Sequence, residues 1–195
     1  MGHHYLNQLF APRSVAVFGA SNSPDGVGTL VFRNLLDAGF KGTVYPINPK
    51  YEKVQDHQSY PNLTELNKSI DLAVIATPAP TVPSILQQCG EHGVKGVVIL
   101  SNGFAEGGAR GQRLQKDSVD IARQYGMHII GPNCLGIMRP LAGLNATFTR
   151  NKAVPGNLAL VSQSGGMCTA ILDWAAARQI GFSTVVNLGD AADVD

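Results

Sequence analysis

At 195 residues with 44% apolar content, the chain can build one generous domain, or one domain and part of another, and is not of disordered composition. Fifteen Lys and Arg against fourteen Asp and Glu leave a formal net charge of +1 with no basic run, which excludes broad electrostatic capture of nucleic acid. No apolar run reaches the ~18 residues of a membrane span, and the N-terminus lacks a charged-then-apolar signal region.

Cys89, Cys134 and Cys168 are odd in number and not spaced as a metal motif, which suits reduced thiols in a cytoplasm. His3 and His4 are too few for a purification tag.

Residues 15–18 (VAVF) form a short apolar run that suits a strand buried on both faces of a parallel sheet. Gly19, Gly26 and Gly28 follow, and residues 29–39 have helical spacing that closes at Gly39. Strand, glycine-rich turn and helix N-terminus together make an anion site. The second glycine comes too late for G-x-G-x-x-G, so the motif reads either as a nucleotide-phosphate cradle or as a tight turn that needs glycine for geometry alone.

Residues 43–47 are the second strand and empty into Asn48, Pro49 and Lys50. A NAD-binding fold would place an Asp or Glu here; a lysine suits a phosphate on the ribose, as in NADP or coenzyme A, or is a solvated surface residue. Residues 52–69 read as a polar connection with a short helix near 63–66. The third strand, 70–76, leads to Thr77, Pro78, Ala79 and Pro80, a stiff loop that either walls an adenine or pantetheine or simply starts the helix at 82–92.

The fourth strand, 95–100, precedes a glycine-rich loop holding Gly103, Phe104 and Glu106, at the carboxyl edge where open α/β sheets bind ligands. Glu106 either contacts a ligand or caps the next helix, 110–125. The fifth strand, 127–130, delivers Asn133 and Cys134. Cys134 has no base paired with it in sequence and reads as a small buried residue, while Asn133 is the better ligand contact. Residues 137–157 show no clear periodicity, and 153–157 read as a hinge.

The alternation restarts with a strand at 158–161, a turn with Ser162, Ser164 and Gly165, a helix at 167–178 containing Trp174, and a strand at 182–188. Two serines before a helix N-terminus make either a second phosphate site or an ordinary cap. The sequence SQSGG is not the G-x-S-x-G elbow and no suitable His follows, which excludes a serine hydrolase.

In order, SVAVFGAS, PINPKY, ATPAP, SNGFAEGG, GPNCLG and SQSGGM resemble the coenzyme A-binding half of the NDP-forming acyl-CoA synthetases, the superfamily of the succinyl-CoA synthetase alpha subunit. Within it, residues 143–148, 171–183 and 187–195 resemble bacterial proteins that fuse this module to a GNAT lysine acetyltransferase. The resemblance implies a Rossmann-like, doubly wound CoA-binding domain over residues 1–153, then the first β-α-β of a flavodoxin-like domain, cut short, over 154–195. Strand order 3-2-1-4-5 is expected for the first, and the second should pack on it or on another copy of the chain.

The resemblance further implies that Gly19, Ala20, Ser21 and Gly28 receive the CoA phosphates, and that Asn48, Pro49 and Lys50 meet the 3′-phosphorylated ribose. Thr77, Pro78, Ala79 and Pro80 would flank the adenine; Gly103, Phe104, Glu106, Asn133 and Cys134 would follow the pantetheine. Ser162, Ser164 and Gly165 would match the helix terminus that steadies a phosphohistidine. No matching histidine motif or ATP-grasp domain occurs, and His57, His92 and His128 read as surface or structural residues.

The chain alone is thus expected to bind coenzyme A or acyl-CoA and not to catalyse, with ATP or another NTP handled by missing domains. Two other readings stand beside this one: an acetyl-CoA-sensing segment of an acetyltransferase, and an NADP-binding oxidoreductase or redox regulator. No metal, nucleic acid or membrane partner is expected.

Overall fold

The apolar run at residues 15–18 becomes the second strand from the edge of a five-stranded parallel sheet in the computed structural model, which describes residues 5–194. His3, His4 and Asp195 lie outside the described residues. In chain order, α1 (Tyr5–Phe10) leads to β1 (Ser14–Phe18), α2 (Val27–Asp37) and β2 (Thr43–Ile47). A small hairpin, β3 (Lys53–Val54) and β4 (His57–Gln58), precedes α3 (Leu63–Leu66) and β5 (Leu72–Ile75). Then come α4 (Val82–Glu91), β6 (Gly96–Ile99), α5 (Gly108–Tyr125) and β7 (His128–Ile130).

The sheet order is β2-β1-β5-β6-β7, or 2-1-3-4-5 for the main strands, which corrects the expected 3-2-1-4-5. The reason is in the strands themselves. β2 carries Pro46, which cannot donate to a ladder and so belongs at an edge. β5 is buried along its whole length and belongs in the middle, where it pairs with β1 (Val15 opposite Leu72) and with β6. This order moves the point where the strand order reverses to the gap between β1 and β5.

Successive residues of β1 serve opposite faces, as the two-residue strand period requires. Val15 and Val17 join one core with Val31 and Leu35 of α2, while Ala16 and Phe18 join the other with Leu86 of α4 and Phe104.

The stretch expected to lack periodicity contains a second hairpin, β8 (Gly136–Arg139) and β9 (Leu144–Thr147), turned at Gly143 with φ +65°. It pairs antiparallel with β11 (Phe182–Asn187), which runs parallel to β10 (Pro155–Ser162); α6 (Gly165–Ala176) makes the crossover. The resulting sheet, β10-β11-β8-β9, draws strands from both sides of position 153. Residues 155–157, expected in a hinge, belong to β10, with register irregularities before Ala159.

The segment 154–195 was expected to pack on the first domain or on another copy of the chain, and Val186 and Leu188 do pack on the first sheet's core together with the β8–β9 hairpin. Ile137, Leu144, Ala146 and Val186 share a core with Val31 and Leu35. Beyond β11 the chain returns to the first sheet and covers its β7 edge: Ala192 N–H donates to Gly131 O (3.0 Å), Val194 N–H to Ile129 O (3.3 Å), and Asp193 Oδ2 accepts from Ile129 N–H (2.9 Å). Leu158 and Val161 of β10, and Met167 and Trp174 of α6, stay exposed.

Candidate functional site

The carboxyl ends of β5, β6 and β7 face the end of β11 and the N-terminus of α6 across a cavity of about 870 Å³. Open parallel sheets bind ligands at this edge because loops of different strands converge there and helix N-termini point toward it. Five of the residues singled out in the sequence line it: Thr77, Pro78, Asn133, Cys134 and Gly165. Val27, the first residue of α2, lines it as well, so two helix N-termini border one space.

The first loop owes its glycines to backbone packing. Gly19 has φ +88°, and a Cβ there would lie 2.7 Å from Ala76 O; a Cβ on Gly28 would lie 2.3 Å from Gly19 O. Only glycine lets α2 start directly on the end of β1. The helix starts without a side-chain cap: Gly26 is its N-cap, and the first intrahelical bond runs from Leu30 N–H to Gly26 O (3.0 Å). The N–H groups ahead of Leu30 thus have no intrahelical partner, which suits an anion.

Neighbouring candidates are engaged in building this loop. Ser21 Oγ is 2.9 Å from Thr29 Oγ1 and accepts from Ser23 N–H at 3.3 Å. Ala20 is fully buried, and its carbonyl accepts from Asn48 Nδ2 (2.8 Å). Asn48 Oδ1 accepts from Lys50 N–H (2.9 Å), so this amide ties the Lys50 backbone to the first loop. Pro49 and Lys50 are exposed, and the Lys50 ammonium makes no ion pair among the described residues.

The Thr77 carbonyl accepts from Ser101 Oγ at 2.5 Å, joining the loops after β5 and β6. Pro78 precedes a short 3-10 turn, Ala79–Thr81, that contains Pro80 and feeds into α4, and Ala79 is buried. Phe104 is completely buried in the core with Ala79 and Leu86, because the chain after Gly103 turns inward. Glu106 caps its own loop. Its Oε1 accepts from Gly103 N–H at 2.6 Å, and this bond, with further backbone N–H donors, holds its carboxyl below the ordinary carboxylate range.

After β7, Asn133 takes φ +55°, donates its N–H to Ser101 O (2.9 Å) and its Nδ2 to Asp190 Oδ1 (3.2 Å). Cys134 is buried; its thiol is 3.3 Å from Ile99 O, and burial pushes its pKa up to about 12. Such a thiol is inert at neutral pH, in keeping with a packing role. Ser164 Oγ accepts from Met167 N–H (3.2 Å) as the N-cap of α6, and Ser162 Oγ accepts from Ser164 N–H (3.1 Å), so both serines shape the helix start while Gly165 reaches the cavity.

Two residues were not singled out in the sequence. Asn187, buried at the end of β11, accepts from Leu135 N–H (2.5 Å) and donates to Ser162 O (2.9 Å), which pins the β7 loop to β10. Asp190 lies beside it on the cavity wall. Their signal was positional: they follow a parallel strand at its carboxyl end, as Thr77 and Asn133 do. The histidines are elsewhere engaged: His57 packs edge-on to Phe32 (5.4 Å), His92 Nδ1 lies 3.2 Å from Gln88 O, and His128 lies 3.6 Å from Asp193. Among the described residues no cluster could hold a metal ion, and no helix is long and apolar enough to cross a membrane.

Residues 13–140 match the CoA binding domain family, and residues 155–195 match the succinyl-CoA ligase like flavodoxin domain. The chain is 42% identical over 194 residues to the alpha subunit of an ADP-forming acetate–CoA ligase I of Pyrococcus furiosus, covering 97% of this chain and 42% of that one. A crystal structure of a Pyrococcus horikoshii protein superposes with a TM-score of 0.93 at 47% identity, over 97% of this chain and 43% of the other. A structure of the dinucleotide-forming acetyl-coenzyme A synthetase 1 of Ca. Korarchaeum cryptofilum, in complex with phosphate and ADP, gives 0.93 at 39% identity, over 97% and 40%. The chain therefore spans less than half the length of these relatives.

Proposed function

The chain belongs to the CoA-binding domain family, and on that premise we propose that it is the CoA-binding segment of an NDP-forming acyl-CoA synthetase, acting on coenzyme A or an acyl-CoA such as acetyl-CoA. The observation that carries this reading is the cavity along the carboxyl edge, bordered by the N-termini of α2 and α6. A molecule with a pyrophosphate at one end and a reacting thiol at the other fits between two such ends, since each favours negative charge.

In this reading the uncapped start of α2, with Gly19, Ser21 and Gly28, takes the pyrophosphate. Lys50, held out by Asn48, takes the 3′-phosphate; Thr77 and Pro78 flank the adenine; Gly103 and Asn133 guide the pantetheine. The α6 start, with Ser162, Ser164 and Gly165, steadies a phosphoryl or acyl-phosphate group on its way to the thiol. The nucleotide and the phosphorylated histidine of such a reaction belong to further ligase domains, which with the CoA thioester are the proposed partners in a cytoplasmic setting; a second copy of the chain is a further candidate for its exposed β10 and α6 faces.

The ligase likeness over nearly the whole chain favours a synthetase over an acetyl-CoA-sensing regulator, and the family favours CoA over NADP. Titration calorimetry with CoA, acetyl-CoA, NADH and NADPH tests this. CoA is expected to bind and the nicotinamide nucleotides not; binding of NADPH without CoA would overturn the reading.

A further inference from the structure

Asp190 is the single ionisable carboxyl lining the cavity, and no Lys, Arg or His lines it among the described residues. The turn that carries Asp190 is fixed tightly on the loop after β7. Gly189 has φ +57°, and a Cβ there would lie 2.3 Å from Pro132 O; Asp190 N–H donates to Pro132 O at 2.9 Å. One carboxyl oxygen, Oδ1, accepts from Asn133 Nδ2 at 3.2 Å. The other, Oδ2, is buried with no hydrogen-bond partner.

A buried, unpaired carboxyl oxygen is costly, and the cost is removed when a donor reaches it. Nothing cationic on the cavity wall supplies that donor, and a phosphate brought close would be repelled. What suits the position is an uncharged group with an N–H. Resting on the CoA reading, we infer that Asp190 is a specificity-determining residue that accepts a hydrogen bond from an amide N–H of the pantetheine arm. To meet that N–H the carboxyl would turn about Cβ–Cγ, with Asn133 following Oδ1, and present Oδ2 to the cavity. The contact reads the arm rather than the nucleotide, so it distinguishes CoA from adenine nucleotides carrying the same phosphates.

The test compares CoA with adenosine 3′,5′-bisphosphate, which has the nucleotide end without the arm, on the unsubstituted chain, Asp190→Asn and Asp190→Ser. The Asn variant keeps an acceptor for Asn133 but turns a donor toward the ligand's donor. CoA affinity is expected to fall about tenfold or more in both variants, the scale of losing a hydrogen bond to a charged group, while the bisphosphate binds unchanged. Its unchanged binding also reports that the variants are folded. If CoA binds the variants as it binds the original, or if both ligands weaken equally, the inference is overturned and the CoA reading stands. If the unsubstituted chain binds neither ligand, the CoA reading falls and the inference with it.

Discussion

Asn34 Nδ2 donates to Thr147 O at 2.8 Å, a bond between the middle of α2 in the first layer and the end of β9 in the second. The same amide nitrogen donates to Thr149 O, also at 2.8 Å. One half-buried side chain therefore satisfies two carbonyls across the contact that holds the layers together, and with them the two sides of the cavity.

Asn34→Ala leaves both carbonyls without that partner. Stability should fall by about 1–3 kcal/mol, the cost of part-buried polar groups losing their bonds. A lower urea midpoint with an unchanged slope is the expected result; an unchanged midpoint would show that water replaces the amide at no cost.

Gly28→Ala should be more damaging than a helix propensity scale suggests, since alanine is the better helix former. Its Cβ would lie 2.3 Å from Gly19 O and 2.8 Å from Ala20 N, both backbone atoms that cannot rotate away. A loss of about 1–3 kcal/mol is expected from the displaced helix start. CoA binding should weaken with it, because the same displacement moves the N–H groups proposed to meet the pyrophosphate. Calorimetry and thermal unfolding on one variant check both effects.

Lys50→Ala should erase the difference between CoA and dephospho-CoA. A charge-assisted contact to the 3′-phosphate contributes about 1.5–3 kcal/mol, so CoA should lose that much and dephospho-CoA almost nothing. The lysine is exposed, so the difference should also shrink at high salt. Equal binding of the two ligands by the unsubstituted chain would remove Lys50 from the site and leave the rest in place.

Cys134 should contribute to alkaline unfolding. Its thiol is raised to about 12 by burial, above the ~8.5 of an unfolded thiol, so the native state retains the proton longer. The stabilisation is complete below the unfolded value and is lost as pH rises through the folded one. Cys89, also raised by burial, acts in the same direction. Cys134→Ala should make the fall in stability above about pH 8.5 shallower, measured as urea midpoints along a pH series. In the native chain all three thiols are buried and should react with a thiol reagent only after unfolding.

Much of the fold was legible because the strands of a parallel sheet are apolar on both faces and glycines close the helices between them. Gly39, Gly93 and Gly126, each read as a helix stop, all have positive φ. The error in strand order had its own signal in Pro46, whose missing N–H puts β2 at the edge. The β8–β9 hairpin was less visible: β9 is only four residues, Leu144–Thr147, too short for its apolar–polar alternation to stand out, and its polar Asn145 and Thr147 are buried with the rest.

At the site, the loops could be found from sequence but the tasks of their residues could not. Gly19, Gly26 and Gly28 after an apolar run, Lys50 where an acid would mark NAD, and Asn133 after the fifth strand were local facts, and local facts determined the α/β class and the rim proposed as the site. Tertiary structure alone decided that Phe104 turns into the core, that Asn48 serves Lys50 and Ala20, and that Asn187 and Asp190 complete a cavity begun some 110 residues earlier at Thr77. The physical reason is range: strand burial and turn chemistry act between neighbours in sequence, whereas hydrogen bonds and packing across two layers join residues that only folding brings together.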